Sequence, residues 1–284
     1  MEIGRVGVVG LGTMGAGIAQ VCLQAGLEVV GREVSPDLGE KARERIDHYL
    51  SRGVEKGRLT ETEKNTALDR LTLVTELTDL GSCQLVIEAA FEDLEVKREL
   101  FGGLEQSVEP HAILATNTSA LSVTEIARAT TCPERVIGMH FFNPAPVLPL
   151  VEVIRTAHTS DEVFETAYTF AEQIGKEPVA CNDTPGFIVN RILIPLLNDC
   201  VRVLDESRVT PEDVDRAMRF GVNWPIGPCA LIDLIGIDVH VHASEALHAA
   251  LGEERMAPPE RLIQMQRAGH LGRKTGRGFY DYSD

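Results

Sequence analysis

The segment that decides the fold is Arg5-Val6-Gly7-Val8-Val9, followed directly by Gly10-Leu11-Gly12-Thr13-Met14-Gly15. The first part is a short apolar run of the kind that is buried in a parallel sheet. The second part matches the pattern G-x-G-x-x-G and opens a helical pattern that stops at Gly26. Because the motif follows a strand and begins a helix, the helix N-terminus can offer unpaired N–H groups to a pyrophosphate. The segment therefore predicts an α/β domain with a dinucleotide site.

The acidic residue after the second strand indicates which dinucleotide binds. Glu33 lies 23 residues after Gly10, at the end of the strand-like run 28–30. Its carboxylate can accept hydrogen bonds from the adenosine ribose hydroxyls and would repel a 2′-phosphate. Arg32 is adjacent and could accommodate that phosphate, but the carboxylate carries more weight. We therefore expect NAD rather than NADP.

The next part of the chain alternates strands and helices. Residues 36–69 are typical of two charged helices, and Thr60 with Glu63 forms a capping box at the start of the second. Strand-like runs follow at 71–74, 85–88, 113–115, 135–138 and 150–153, with helical patterns between most of them. This alternation predicts a Rossmann-type doubly wound, mainly parallel sheet, into which the helix pair is inserted.

The strand pattern disappears after about residue 184. Helices are expected at roughly 187–206, 211–220, 229–251 and 258–269, and a glycine-rich irregular tail follows. We therefore predict an α/β class protein with a NAD-binding domain at 1–183 and a second, all-α domain at 184–284.

Composition excludes several classes of function. The net charge of −16 argues against a nucleic-acid or anionic-membrane partner, because phosphate binding needs a basic surface. The N-terminus lacks the basic region and the cleavage site of a signal peptide, so none is expected. The most apolar helical stretch, 192–204, is interrupted by polar residues, so no segment is expected to span a bilayer. The six cysteines contain no Cys-x-x-Cys pair, so neither a metal site nor a disulfide framework is indicated. A reduced, cytoplasmic location is expected.

A histidine and a glutamate form the candidate catalytic pair. His140 ends one apolar strand-like segment and Glu152 lies twelve residues later, inside another. The connection between them contains three prolines and suits a fixed turn. A histidine whose second ring nitrogen is held by a carboxylate is a general acid–base with a set tautomer. Taken alone, the pair could equally be structural.

Five further segments make the chain similar to the short, single-function 3-hydroxyacyl-CoA dehydrogenases of the 3-hydroxybutyryl-CoA type. The resemblance covers nearly the whole chain, from Arg5 to Tyr282, in order. The segments are Thr116-Asn117-Thr118-Ser119, Gly138-Met139-His140-Phe141-Phe142-Asn143-Pro144, Leu150-Val151-Glu152-Val153, Thr184-Pro185-Gly186-Phe187-Ile188-Val189-Asn190-Arg191 and Gly272-Arg273-Lys274-Thr275-Gly276-Arg277-Gly278-Phe279-Tyr280.

The resemblance implies a role for each matching residue. His140 is the acid–base, Glu152 orients it, and Ser119 and Asn190 lie beside the reacting oxygen. Besides the glycine loop and Glu33, the implied cofactor contacts are Glu92, Lys97, Asn117, Ser119, Asn143 and Lys274. The resemblance also implies a homodimer through the helical domain, with Ser119, Lys56 and Asn190 contacting an acyl-CoA substrate.

Two positions depart from the family pattern. Many relatives have Asp where this chain has Glu33, and the longer acid should still reach the ribose. The position of a serine that contacts CoA in the family is occupied by Tyr49 here, so the contacts with CoA can differ. Lys56 lies in a helix pair that carries seven basic residues among interleaved acids. That surface is either a landing site for a phosphorylated carrier or an ordinary solvated face.

The implied reaction is chemically consistent with these residues. Oxidation of a secondary alcohol requires removal of the hydroxyl proton as hydride leaves, and an unperturbed imidazole can take that proton near neutral pH. Ser119 and Asn190 could donate to the oxygen on which charge develops, or be a helix cap and a buried polar residue respectively. Since Asn190 begins the second domain, we expect the active site between the domains.

Three alternatives remain for the function. A free hydroxyacid dehydrogenase of the hydroxyisobutyrate type has a similar glycine motif but lacks the His140–Glu152 pair, which counts against it. A relative acting on a carrier-protein or unusual acyl thioester stays open. A non-catalytic NAD-binding protein, akin to the crystallin relatives of the family, would not need the intact pair.

Overall fold

The computed structural model describes residues 2–283, and an eight-stranded sheet dominates the first part of the chain. The strands are β1 (Arg5–Val9), β2 (Glu28–Arg32), β3 (Leu71–Val74), β4 (Leu85–Glu88), β5 (Ile113–Thr116), β6 (Val136–Phe141), β7 (Leu150–Arg155) and β8 (Glu177–Asn182). Their order in the sheet is β3-β2-β1-β4-β5-β6-β7-β8. Neighbouring strands are parallel except β6 and β7, which are antiparallel. This arrangement confirms the doubly wound, mainly parallel sheet.

The helices of this unit are α1 (Thr13–Gln24), α2 (Pro36–Glu55), α3 (Glu61–Asp69), α4 (Leu94–Ser107), α5 (Val123–Ala127) and α6 (Asp161–Gln173). The helix pair α2–α3 lies between β2 and β3 in the chain, as the sequence predicts. Ser35 caps α2, and Thr60 and Glu63 form the expected capping box of α3. The side-chain oxygens satisfy N–H groups that have no partner within the helix, which is why both helices begin where they do.

Burial explains which strands the sequence reveals. The central strands β1, β4, β5 and β6 are almost wholly buried, and their continuous apolar runs mark them clearly. β8 was not indicated, because it is an edge strand that leaves several side chains exposed. β8 pairs with β7 through main-chain hydrogen bonds, which do not depend on apolar side chains. Pro178 is tolerated because β8 is an edge strand.

The second unit begins at Pro185, immediately after the first unit ends at Thr184. It contains α7 (Val189–Ser207), α8 (Pro211–Gly221), α9 (Pro228–Ile235), α10 (Ile237–Leu251) and α11 (Glu260–Arg267). A core of Leu197, Val201, Ile232, Ile237, Val241 and Leu262 joins four of these helices. Among residues 2–283, no helix has both the length and the apolar character that crossing a membrane would need.

The expectation of one helix over 229–251 is wrong. Gly236 has a φ of 104°, which a helix cannot contain, so the segment forms α9 and α10 with a break between them. A side chain at Gly236 would also crowd the Lys274 amine, 3.2 Å from the position of an added Cβ. An isolated glycine is tolerated in many helical patterns, so the sequence alone did not reveal the break.

The glycine-rich tail is ordered by buried carboxylates. Asp233 is 1% exposed and accepts hydrogen bonds from the N–H groups of Phe279 and Tyr280 and from the Tyr282 hydroxyl. Asp215 accepts a bond from the Tyr280 hydroxyl at 2.8 Å. The tail is therefore irregular in backbone but fixed to the helices of the second unit.

A buried histidine gives this unit a predicted dependence on pH. His240 is fully buried on α10, where Nε2 donates to Asn198 at 2.8 Å, and burial lowers its pKa from the usual 6.5 to about 4. Between these pH values the unfolded chain binds a proton that the folded chain does not. Stability should therefore be complete above pH 6.5 and fall by roughly 1 kcal/mol per pH unit as the pH drops toward 4. Urea unfolding at several pH values measures this slope.

The matched control is His242, an exposed histidine on the same helix. His240→Gln should flatten the dependence between pH 4 and 6.5, after allowance for its lower overall stability, whereas His242→Gln should retain it. An unchanged slope in the His240 variant would assign the pH dependence to other groups.

Candidate active site

The glycine loop has the form that a pyrophosphate requires. Gly10 has a φ of 83°, and a side chain at Gly15 would overlap the Gly10 carbonyl oxygen. An added Cβ at Gly12 would meet nothing within 4 Å, so the space above the loop is open. No side chain caps α1 and its first turn contains no acid, which leaves the positive end of the helix available to an anion. The residues present therefore fit a dinucleotide.

Glu33 lies against the same loop. Its Oε1 accepts the Leu11 N–H at 2.5 Å and its Oε2 accepts the Val34 N–H at 3.2 Å. Arg32 points elsewhere, because its Nε donates to the Thr75 carbonyl at 2.9 Å. Of these two residues, Glu33 and not Arg32 has its charged group beside the loop, as expected for NAD.

The predicted His–Glu pair forms across two strands. His140 and Glu152 are direct partners in the antiparallel register of β6 and β7. His140 Nδ1 lies 2.7 Å from Glu152 Oε2, and the two residues are 6% and 1% exposed. Since a carboxylate only accepts, Nδ1 carries the proton, and the tautomer of the imidazole is set.

A lysine that the sequence did not single out holds the connection between these strands. Lys176 is buried, and its Nζ donates to the carbonyls of Ala145 and Leu148 at 2.5 and 2.9 Å. Burial lowers the pKa of this amine. On the other side, an added Cβ at Gly17 of α1 would lie 3.2 Å from Pro146, so the connection packs tightly against the helix that follows the glycine loop. A lone lysine after a glycine gives no sequence signal for this role.

A buried ion-pair network lies at the end of β4. Lys97 is 1% exposed, and its Nζ lies 2.6 Å from Glu88 and 3.2 Å from Glu92. The Thr116 hydroxyl donates to the other Glu88 oxygen at 2.7 Å. Sequence reasoning placed Glu88 in the strand-like run 85–88 but gave it no role, because its partner Lys97 is set by the packing of α4 and not by a sequence motif.

Glu92 fixes the loop that carries Ser119. Its Oε1 accepts from the Thr118 hydroxyl at 2.6 Å and from the Ser119 N–H at 2.9 Å, and the Ser119 hydroxyl lies within 3.4 Å. Burial raises the pKa of Glu92, but Lys97 and these donors outweigh it, so the pKa lies below its usual value. Glu92 is therefore an ionised acceptor. The direct cofactor contacts expected of Glu92 and Lys97 stay predictions.

Three further predicted residues, Asn117, Ser119 and Asn143, lie at or near the ends of β5 and β6. Asn117 accepts the Phe141 N–H at 2.8 Å, which ties the end of β5 to the end of β6. The alternative interpretation of Ser119 as a helix cap is wrong, because Ser122 caps α5 and accepts the Glu125 N–H. Asn143 is the second residue of the connection after β6 and precedes a cis peptide bond with Pro144.

The remaining predicted residues lie on α2, on α7 and in the C-terminal tail. Lys56 is exposed at the C-terminus of α2, and Tyr49, which replaces the family serine, is 38% exposed on the same helix. In the second unit, Asn190 lies in the first turn of α7, and Lys274 binds both carboxylate oxygens of Asp238 at 2.5 and 2.6 Å. Their binding roles stay predictions.

Comparison with known proteins identifies the family. Residues 5–184 match the family model described as 3-hydroxyacyl-CoA dehydrogenase, NAD binding domain. Residues 186–282 match the model for the C-terminal domain of the same family. The chain therefore belongs to the 3-hydroxyacyl-CoA dehydrogenase family. It is an oxidoreductase that uses NAD.

Similar proteins cover the chain from end to end. A probable 3-hydroxybutyryl-CoA dehydrogenase of Bacillus subtilis is 44% identical over 284 residues, which is 100% of this chain and 99% of the relative. The crystal structure of FadB2 from Mycobacterium tuberculosis is 44% identical, with a TM-score of 0.97 and full coverage of both chains. The crystal structure of (S)-3-hydroxybutyryl-CoA dehydrogenase PaaH1 from Ralstonia eutropha is 42% identical, with a TM-score of 0.96 and full coverage of both.

The buried network yields a stability prediction. Lys97→Met should lower the free energy of unfolding by about 3–5 kcal/mol, because it leaves Glu88 buried without a cation. The double variant Lys97→Met with Glu88→Gln removes both charges. Its free energy of unfolding should be higher than that of Lys97→Met by at least half of the loss. Urea unfolding measures all three proteins, and Lys41→Met at an exposed position is the control for loss of a lysine. A single variant as stable as the wild type would show that Glu88 needs no cation there.

Proposed function

We propose that the protein interconverts (S)-3-hydroxyacyl-CoA and 3-oxoacyl-CoA, with short chains such as 3-hydroxybutyryl-CoA as the preferred substrates. The observation that carries this proposal is the buried hydrogen bond between His140 and Glu152, 2.7 Å long. A buried imidazole whose tautomer is set by a carboxylate suits proton exchange with a substrate hydroxyl. The names of the relatives with full coverage support the short-chain substrate.

In the oxidising direction the substrate loses a proton and a hydride. Bound NAD supplies the acceptor for the hydride that leaves the carbinol carbon. Nε2 of His140 takes the hydroxyl proton, because Nδ1 is engaged by Glu152. Glu152 stabilises the imidazolium that results, and the carbonyl forms as the C–H bond breaks. In the reverse direction the same nitrogen returns the proton.

Ser119 is proposed to donate its hydroxyl to the reacting oxygen, as an oxyanion donor does. Glu92 supports this role, since it accepts the Ser119 main-chain N–H at 2.9 Å and holds the loop in place. The resemblance assigns a matching contact to Asn190. We also assign Asn117 to cofactor binding, and Asn143 and Lys274 to the nicotinamide side of the cofactor. Glu92 and Lys97 complete that set.

Homodimerisation through the second unit is part of the proposal. Several large apolar side chains of that unit are exposed in the single chain, where they would be costly to leave in water. They are Ile192, Phe220, Val222, Leu234 and Val239. A second copy of the chain is the partner that the resemblance implies.

The test is the loss of NADH absorbance with three substrates in parallel. We expect turnover with acetoacetyl-CoA and little with free acetoacetate. A carrier-protein thioester of the same acyl group is the third arm. Faster turnover of that thioester would assign the enzyme to carrier-bound substrates. Binding of NADH without turnover of any of the three would favour a non-catalytic NAD-binding protein.

His140→Gln tests the acid–base. Glutamine can still contact Glu152 but cannot exchange a proton, so turnover should fall by at least ~100-fold. NADH binding and the unfolding midpoint should change little, which fluorescence titration and urea unfolding measure. Turnover close to that of the wild type in a folded variant would remove His140 from this role.

Lys56→Glu tests the helix pair as the landing site of the carrier. Reversing an exposed charge should raise KM for acetoacetyl-CoA several-fold, because a cation there would contact the nucleotide phosphates. A pantetheine thioester lacks those phosphates, so its KM should not change. Lys41→Glu, also exposed on α2, is the matched control. Equal effects on both substrates, or none, would assign the helix pair to the ordinary solvated surface.

A further inference from the structure

We propose that Arg45 of α2 is a positioning residue for the cofactor, because it fixes the glycine loop at the Leu11 peptide. Arg45 Nη1 donates to the Leu11 carbonyl oxygen at 3.1 Å. Leu11 is the residue between the first two glycines of the motif, so its peptide sets the path of the loop toward Gly12. No sequence motif marks Arg45, which belongs to the helix pair rather than to the loop.

Leu11 is held from three directions. Its N–H donates to Glu33 at 2.5 Å, and its carbonyl accepts from Arg45. Its side chain is 2% exposed and packs so closely on β2 that a Cβ added to Gly31 would lie 2.7 Å from it. The two peptide groups that flank Leu11 are thus held by a carboxylate and a guanidinium, in a loop whose backbone must be ready for an anion before that anion arrives.

The charge of Arg45 adds to the effect of the hydrogen bond. The glycine loop itself contains no basic side chain, and Glu33 places a negative charge beside it. Among residues 2–283, Arg45 forms no ion pair with a carboxylate. It is partly buried, where a charge is screened less than on the open surface. The positive charge of Arg45 would therefore favour binding of a negatively charged pyrophosphate on the loop.

The helix explains how the arginine reaches the loop. Ala42, Ile46 and Leu50 form the buried stripe of α2, at intervals of four residues, and belong to the same core as Leu11. Arg45 stands at the edge of this stripe, beside Ile46. The helix pair therefore contributes to two proposed binding sites. Arg45 supports the cofactor loop, and Lys56, at the C-terminus of α2, is the proposed contact for the acyl carrier.

The chain supplies a matched control on the same helix. Arg43 is also partly buried, and its guanidinium also donates to a backbone carbonyl, that of Leu71, at 3.2 Å. That carbonyl lies at the start of β3, far along the chain from the glycine loop. Arg43→Met and Arg45→Met each remove one arginine and one bond of the same kind, and only the second bond involves the loop.

The experiment measures binding of NADH by its fluorescence and of ADP-ribose by displacement of NADH. Arg45→Met should raise both dissociation constants about tenfold, the scale of one hydrogen bond from a charged group. KM for NADH should rise with them, while kcat at saturating NADH stays within about twofold of the wild type. Arg43→Met should leave both dissociation constants within about twofold. Urea unfolding reports the stability of each variant.

Two results would overturn the proposal. One is an NADH dissociation constant within twofold of the wild type in folded Arg45→Met; the other is an equal rise in Arg43→Met. Arg45→Gln, which also removes the charge, replaces the methionine variant if that protein does not fold. The inference rests on the glycine loop as the NAD site and not on the acyl substrate. Because binding is measured without any thioester, its failure is separate from failure of the proposed reaction.

Discussion

The antiparallel pairing of β6 with β7 is the constraint on which the proposed chemistry depends. Every other pair of neighbouring strands in the sheet is parallel, and a parallel return needs a crossover of about a dozen residues or more. Only residues 142–149 connect these two strands, so the chain must reverse, and the reversal sets His140 opposite Glu152. A slip of one residue in this register would turn one of the two side chains to the other face. Lys176 holds the connection and thereby stabilises the register.

Three glutamates near the carboxyl ends of β2 and β4, the strands on either side of β1, have different roles because their surroundings differ. Glu33, after β2, holds the glycine loop through the Leu11 N–H. Glu88, the last residue of β4, is fully buried and balances the charge of Lys97. Glu92, a few residues further on, accepts hydrogen bonds from four donors of the loop that carries Ser119. The glycine loop and the loop that carries Ser119 are thus both positioned by carboxylates. Both lie at the carboxyl ends of the strands, where dinucleotide folds bind their ligands.

Local signals predicted much of the fold, and their failures have physical causes. The apolar runs of the central strands and the capping box at Thr60 depend on neighbouring residues only, and both are confirmed. β8 escaped prediction because an edge strand needs no apolar run, and its main chain finds its partner in space. The prediction of a single helix over 229–251 is wrong because Gly236 adopts a positive φ, which the neighbouring residues in the sequence do not indicate.

By itself the sequence determined that a strand, a glycine loop and a helix follow one another, that an acid follows the second strand, and that a histidine and a glutamate lie twelve residues apart. These features are short in range, so the order of residues is enough to reveal them. Only the tertiary structure decided that Glu88 forms an ion pair with Lys97 and that Lys176 donates to carbonyls of the connection after His140. It also decided that Arg45 donates to the Leu11 carbonyl. Each of these contacts joins residues between 9 and 34 positions apart, with the partner fixed by how the helices pack on the sheet. The partner of a buried charge is set by that packing and not by spacing along the chain.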